Sequence, residues 1–192
     1  MRELTLPNIL TVIRIILSPI FVVAAALGNW DAAFLLFCIA ALTDMIDGSI
    51  ARIFNQKSEM GAFLDPMADK LLMVSAFITL SFAKIIPIGL TLVVFSRDLM
   101  ITIGLILFKM RKIVLFYRPT LLSKATTLAQ ILTLSAALAP RGLGYLNQAE
   151  SIPFFLKALP FLMGITLLLT ISSGVQYYRI GLGILKKGYC AY

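Results

Sequence analysis

The chain has 192 residues, 60% hydrophobic and only 14% charged, with 17 Lys plus Arg against nine Asp plus Glu and a formal net charge of +8. A mean hydropathy of +0.96 excludes an ordinary soluble domain. Repeated apolar runs near the ~20 residues that cross a bilayer point to a polytopic helical membrane protein.

No polar stretch is long enough for a second domain, so residues 1–192 read as one membrane domain. Histidine is absent, which removes the usual general base. Cys38 and Cys190 give neither a disulfide framework nor metal-ligand spacing, so a zinc site is excluded too. In so apolar a chain the basic balance reads as membrane topology and contact with anionic phospholipid, not as nucleic-acid binding.

Hydropathy and turn residues predict six helical spans, roughly Ile9–Leu27, Ala32–Ile50, Gly61–Phe82, Pro87–Phe108, Ala125–Ala139 and Pro153–Tyr177. Breaks such as Asn29-Trp30-Asp31 and Pro140-Arg141-Gly142 separate them. The apolar runs are continuous, without the alternation of a barrel strand. The first span has a rival reading as a cleaved signal peptide with Ala24-Ala25-Ala26 as its processing site. Asn8, Thr11 and Arg14 border or interrupt its apolar region, however, and five more spans follow. Arg14 lies near the inner end of this span, where a long cationic side chain snorkels to the interface.

Span two carries Asp44 and Asp47 in its second half and closes on Gly48, Ala51 and Arg52. Span three opens at Gly61 and carries Asp65 and Asp69. Pro66 disfavours helical geometry at Asp65, so that helix begins or bends there. Span four holds Arg97-Asp98 near its middle, and Ser123-Lys124-Ala125-Thr126-Thr127-Leu128-Ala129-Gln130 opens span five. The 13 Phe read as lipid-facing and interfacial packing.

One set of span ends holds Arg2, Arg52, Lys57, the group Lys109, Arg111, Lys112, Arg118 and Lys124, and the tail with Arg179, Lys186 and Lys187; the opposite ends hold Lys84, Arg141 and Lys157. The positive-inside rule puts the first set, and both termini, in the cytoplasm. All four aspartates then converge near the cytoplasmic face of what reads as a bacterial-type inner or cell membrane.

An acid in an apolar helix is costly near lipid, so its default reading is functional. Asp44 and Asp47 are three apart and Asp65 and Asp69 four apart, which sets either pair on one helical face. Carboxylates this close in low dielectric call for cations. A site without histidine or thiol suits Mg²⁺ or Mn²⁺, and four carboxylates suit two ions, the arrangement that clamps attacking and leaving oxygens in phosphoryl transfer. The bland alternative pairs the acids with Arg14, Arg52 or Lys70, which accounts for one or two of them but not four. Gly48 and Ala51 leave the backbone open to close approach, and Arg52 suits bidentate pairing with phosphate.

The pattern Asp44-x2-Asp47-Gly48-x2-Ala51-Arg52-x8-Gly61-x3-Asp65-x3-Asp69 resembles, position for position, the signature of the CDP-alcohol phosphotransferase family. Asn8-Ile9-Leu10-Thr11-Val12-Ile13-Arg14 is similar to that family's amphipathic approach to its first span. The resemblance implies an all-α membrane fold of six transmembrane helices and a phosphatidyl transfer from CDP-diacylglycerol to an acceptor hydroxyl, with release of CMP. It further implies Asp44, Asp47, Asp65 and Asp69 as metal ligands, Asp69 also as general base, and Asp44, Gly48, Ala51, Arg52 and Gly61 around the CDP group. A homodimer is implied as well.

Arg97, Arg118 and Lys124 are the candidate acceptor residues; their bland readings are an internal Arg97-Asp98 ion pair and a basic border that signals topology. Arg97-Asp98 stands where phosphatidylglycerophosphate synthases typically have Arg-Glu, and Thr126 where they have a second lysine. Together with Ile86-Pro87 and Tyr177-Tyr178-Arg179, this looks more like the cardiolipin synthases of the eukaryotic type. A missing lysine also suits phosphatidylglycerol, with its single negative charge, better than glycerol 3-phosphate, the alternative acceptor. An ion-coupled transporter is the rival from another class. It is disfavoured because all four acids lie in spans two and three, with no matching cluster in the second half.

Overall fold

A computed structural model describes residues 6–53, 61–110, 120–142 and 152–186. They form six α-helices and, among the described residues, no strand: α1 Leu6–Ala26, α2 Trp30–Ile53, α3 Gly61–Phe82, α4 Ile88–Met110, α5 Leu121–Gly142 and α6 Ile152–Lys186. Their packing closes a ring. The helix α1 lies against both α2 and α3, α2 against α5, α5 against α6, α6 against α4, and α4 back against α3.

The third span matches its expected bounds, and the other differences have local causes. Gly28, at φ 77°, makes the tight reversal after α1 that an L-side chain would resist. The Asn29 carboxamide then accepts the Ala32 N–H at 3.2 Å and caps α2, so Trp30 and Asp31 belong to the helix, not to a break. Thr120 caps α5 in the same way, its hydroxyl accepting the Ser123 N–H at 3.2 Å, which starts that helix four residues before the expected Ala125. Pro140-Arg141-Gly142 does not end span five. It completes α5, because a Gly at 142 lets the helix run against Phe34 and the Arg141 guanidinium lies 5.6 Å from the Trp30 ring centre. At the other end of the chain, α6 continues past Tyr177 to Lys186.

The core is concentrated at one end of the ring. Phe21 and Ala25 of α1, Ala33 and Phe37 of α2, Ala76, Phe77 and Leu80 of α3, Leu90 and Val94 of α4, Leu134 to Leu138 of α5, and Leu159 of α6 are buried there. Each of these lies in the half of its helix remote from the four aspartates. Phe21, Phe37 and Phe77 are therefore core residues, which corrects the expectation that the aromatics face lipid; Phe82, Phe154 and Phe161 do lie exposed.

The outer surface is apolar. Leu27, Leu121, Ile88 and Leu168 are among many large hydrophobic side chains left exposed. Water would not tolerate so much contiguous apolar surface on a monomer, whereas lipid does. Two helices, Leu121–Gly142 and Pro153–Gly183, are by themselves long and apolar enough to cross a bilayer, and shorter apolar helices such as Val12–Ala26 add to them.

Candidate active site

The helices α2 and α3 carry the eight-residue motif. Asp44, Asp47, Gly48, Ala51 and Arg52 lie in the second half of α2, and Gly61, Asp65 and Asp69 in the first half of α3. Both stretches are helical, and α3 is already helical five residues before Pro66, so it does not begin there. The side chains of these residues lie outside the described residues, as does all of Arg118. Among the described residues no group of three His, Cys, Asp or Glu side chains forms a metal site.

What the structure does describe is the polar ground on which the motif stands. Lys70 follows Asp69 in α3. Its ammonium reaches across to α4, donating to the Asp98 carbonyl at 3.5 Å and to the Thr102 hydroxyl. Among the described residues, these partners all lie on the neighbouring helix. Thr102 in turn donates to the same Asp98 carbonyl at 2.7 Å.

From Asp98 the network continues through Arg97, whose side chain is only 9% exposed. One terminal nitrogen bonds the Asp98 carboxylate at 2.7 Å; the other donates to Ser123 of α5 and Ser173 of α6, each at 2.8 Å. The Tyr177 ring centre lies 5.5 Å from its guanidinium carbon. A buried cation needs partners of this kind, because desolvation costs several kcal/mol per ion. Thr120 closes the cluster by donating to the Gln176 carboxamide oxygen at 3.2 Å. Arg97 thus ties α4, α5 and α6 together beside the helix that carries Asp69, and the internal ion pair with Asp98 is present.

Of the other candidates, Lys124 is exposed on the first turn of α5 and stands apart from the Arg97 bonds. Thr126 is fully buried, donating at 2.7 Å to the Leu122 carbonyl and at 3.2 Å to the Leu169 carbonyl of α6. In this fold the position is a packing contact between α5 and α6, with no room for a lysine. Arg14 does not snorkel. It is 1% exposed, because α1 is enclosed between α2 and α3 and offers that face neither lipid nor water.

Sequence reasoning missed Thr102, Ser123, Ser173 and Gln176 as members of the cluster. Small polar residues in apolar helices are the only local signal for them, and that signal does not say which helix they answer.

The chain belongs to the CDP-alcohol phosphatidyltransferase family, whose profile matches residues 4–172. It is similar to "Cardiolipin synthase (CMP-forming)" of Rattus norvegicus, 33% identical over 193 residues that cover 92% of this chain and 61% of that protein. The Homo sapiens protein of the same name is 32% identical, with 92% and 62% covered. It is also similar to the "CDP-diacylglycerol--glycerol-3-phosphate 3-phosphatidyltransferase" of Bacillus subtilis (strain 168), 33% identical, with 90% of this chain and 93% of that protein covered. The chain therefore spans about three fifths of the length of the first two relatives.

Proposed function

We propose that this protein is a phospholipid-synthesising transferase that moves a phosphatidyl group from CDP-diacylglycerol to the hydroxyl of a glycerol-type acceptor, releasing CMP. The observation that carries the reading is the eight-residue motif divided between α2 and α3, next to the Lys70–Arg97 network. Phosphatidylglycerol is the favoured acceptor and glycerol 3-phosphate the second reading. The buried Thr126 supports that order, because a second phosphate would meet no lysine there.

An all-carboxylate donor set suits a hard divalent ion, so Asp44, Asp47, Asp65 and Asp69 would hold Mg²⁺ or Mn²⁺, with two ions the fitting number. When bound, such ions supply neutralisation of the diphosphate and of the developing charge. Arg52 pairs with a phosphate of the CDP group, while Gly48, Ala51 and Gly61 leave space for it along the helix backbones. Asp69 takes the acceptor's hydroxyl proton as a new oxygen–phosphorus bond forms. CMP departs with the electrons of the bond that breaks.

The bundle sits in the membrane as six spans of one domain, both termini and the motif on the cytoplasmic side, and works as a homodimer. Positive charge at the motif end supports this orientation.

The test is CMP release by purified protein given CDP-diacylglycerol with labelled phosphatidylglycerol or labelled glycerol 3-phosphate in separate assays. Turnover should require phosphatidylglycerol, stop on chelation and resume with Mg²⁺ or Mn²⁺. Turnover that survives chelation would overturn the metal assignment, and use of glycerol 3-phosphate alone would reverse the acceptor.

A further inference from the structure

A groove of about 360 Å³ opens on the outside of the bundle between α4 and α6. Val93 and Met100 form one wall, Ile171 and Val175 the other, and the buried side chains of Arg97 and Thr170 lie along it. Gly174 keeps the groove open. A Cβ there would meet only the Arg97 Cγ, at 3.7 Å, an ordinary contact, so a large side chain at this position would have to occupy the space beside the guanidinium.

Three observations define what fits. The walls are apolar and open sideways on an apolar surface, which suits a hydrocarbon chain. The charge beneath is cationic: among the described residues Arg97 bonds the Asp98 carboxylate, Lys70 bonds the Asp98 backbone carbonyl, and the buried Arg97 Nε–H has no acceptor. This suits an anionic headgroup. The Arg97–Asp98–Lys70 bonds also lead from the groove to α3, ending one residue from Asp69.

We infer that the groove seats an acyl chain of the phospholipid acceptor, its phosphodiester drawn by the Arg97–Lys70 cluster and its free hydroxyl extended toward α3. This rests on the transferase reading above and adds a side entrance through which a lipid, but not a soluble acceptor, reaches the site. A small dianion such as glycerol 3-phosphate has no use for an apolar wall of this length, whereas a diacyl lipid gains from each methylene buried.

The test uses the full chain in lipid bilayers. Phosphatidylglycerol with a photoreactive group on its acyl chain should attach within residues 93–100 and 170–178 and be displaced by excess unlabelled phosphatidylglycerol. Adducts elsewhere, or groove residues that cross-link to a second copy, overturn the assignment. Gly174→Leu, which fills the groove, should raise KM for long-chain phosphatidylglycerol about tenfold while changing KM for a short-chain analogue little. Equal losses with both chain lengths overturn the groove. If Gly174→Leu fails to fold, photolabelling of the unsubstituted protein decides. Unsubstituted protein that uses phosphatidylglycerol but labels elsewhere defeats the groove alone; protein that uses only glycerol 3-phosphate defeats the acceptor reading and the groove with it.

Discussion

At the residue scale, the chemistry of this chain is set by what it lacks. With no histidine, proton transfer at the proposed site falls to a carboxylate, and Asp69 is the one adjoining Lys70, which bonds to α4. Replacement by asparagine keeps size and hydrogen-bonding capacity while removing the proton acceptor. Asp69→Asn should therefore lower kcat by about a hundredfold or more, within the range typical of general-base loss, and leave CDP-diacylglycerol binding nearly intact. Rates and equilibrium binding of the nucleotide lipid measured side by side check this; a near-normal rate would remove Asp69 from the base role. The eight motif residues were legible because their spacing is local and survives without any knowledge of the fold. Arg14 was not. Nothing in its own neighbourhood tells whether the adjoining helices cover it, and their enclosure of α1 is what buries it.

At the element scale, the helices are fastened by few polar contacts and by close approach of small residues. Thr133 and Thr166 share a hydrogen bond at 2.8 Å between α5 and α6, and Thr126 of α5 donates to the Leu169 carbonyl of α6 at 3.2 Å. Contacts of this kind contribute about 0.6 kcal/mol each in membrane bundles. The tightest approach is between α2 and α5, where a Cβ on Gly142 would stand 2.6 Å from the Phe34 Cγ. Gly142→Ala should destabilise the protein by about 1–3 kcal/mol, the usual cost of overpacking, and Phe34→Ala added to it should not recover the loss, because the nearest clash is with the Phe34 Cβ that alanine keeps. Thermal unfolding in detergent checks both; an unchanged midpoint for Gly142→Ala would show that the helices part without cost. Helix existence was read correctly from hydropathy, while helix ends were missed wherever a cap decided them. Asn29 and Thr120 act through one side-chain oxygen each, which a hydropathy window averages away. The Arg97–Ser173 contact, spanning 76 positions, is beyond any local pattern.

At the scale of the whole molecule, the ring of six helices is sealed at one end and polar at the other. The turn around Lys84, which adopts φ 57°, lies at the sealed end, and the proposed orientation places it outside the cell. Lys84→Cys, with Cys38 and Cys190 replaced by serine, should react with a membrane-impermeant thiol reagent added to intact cells. Labelling only after the cells are opened would invert the topology. The sealed end has another consequence. A cluster of carboxylates and bound cations reaching into a bilayer is half of an ion channel, and the missing half is what the packed end denies. Phe21, Phe37, Phe77, Leu80, Leu134 and Leu138, each no more than 2% exposed, fill the axis beyond the site. An ion leaving the aspartates in that direction would have to shed its water among hydrocarbon side chains, at a cost no transmembrane voltage repays. The proposed site would thus stand as a charged workshop inside a membrane whose electrical gradient the packed end leaves intact.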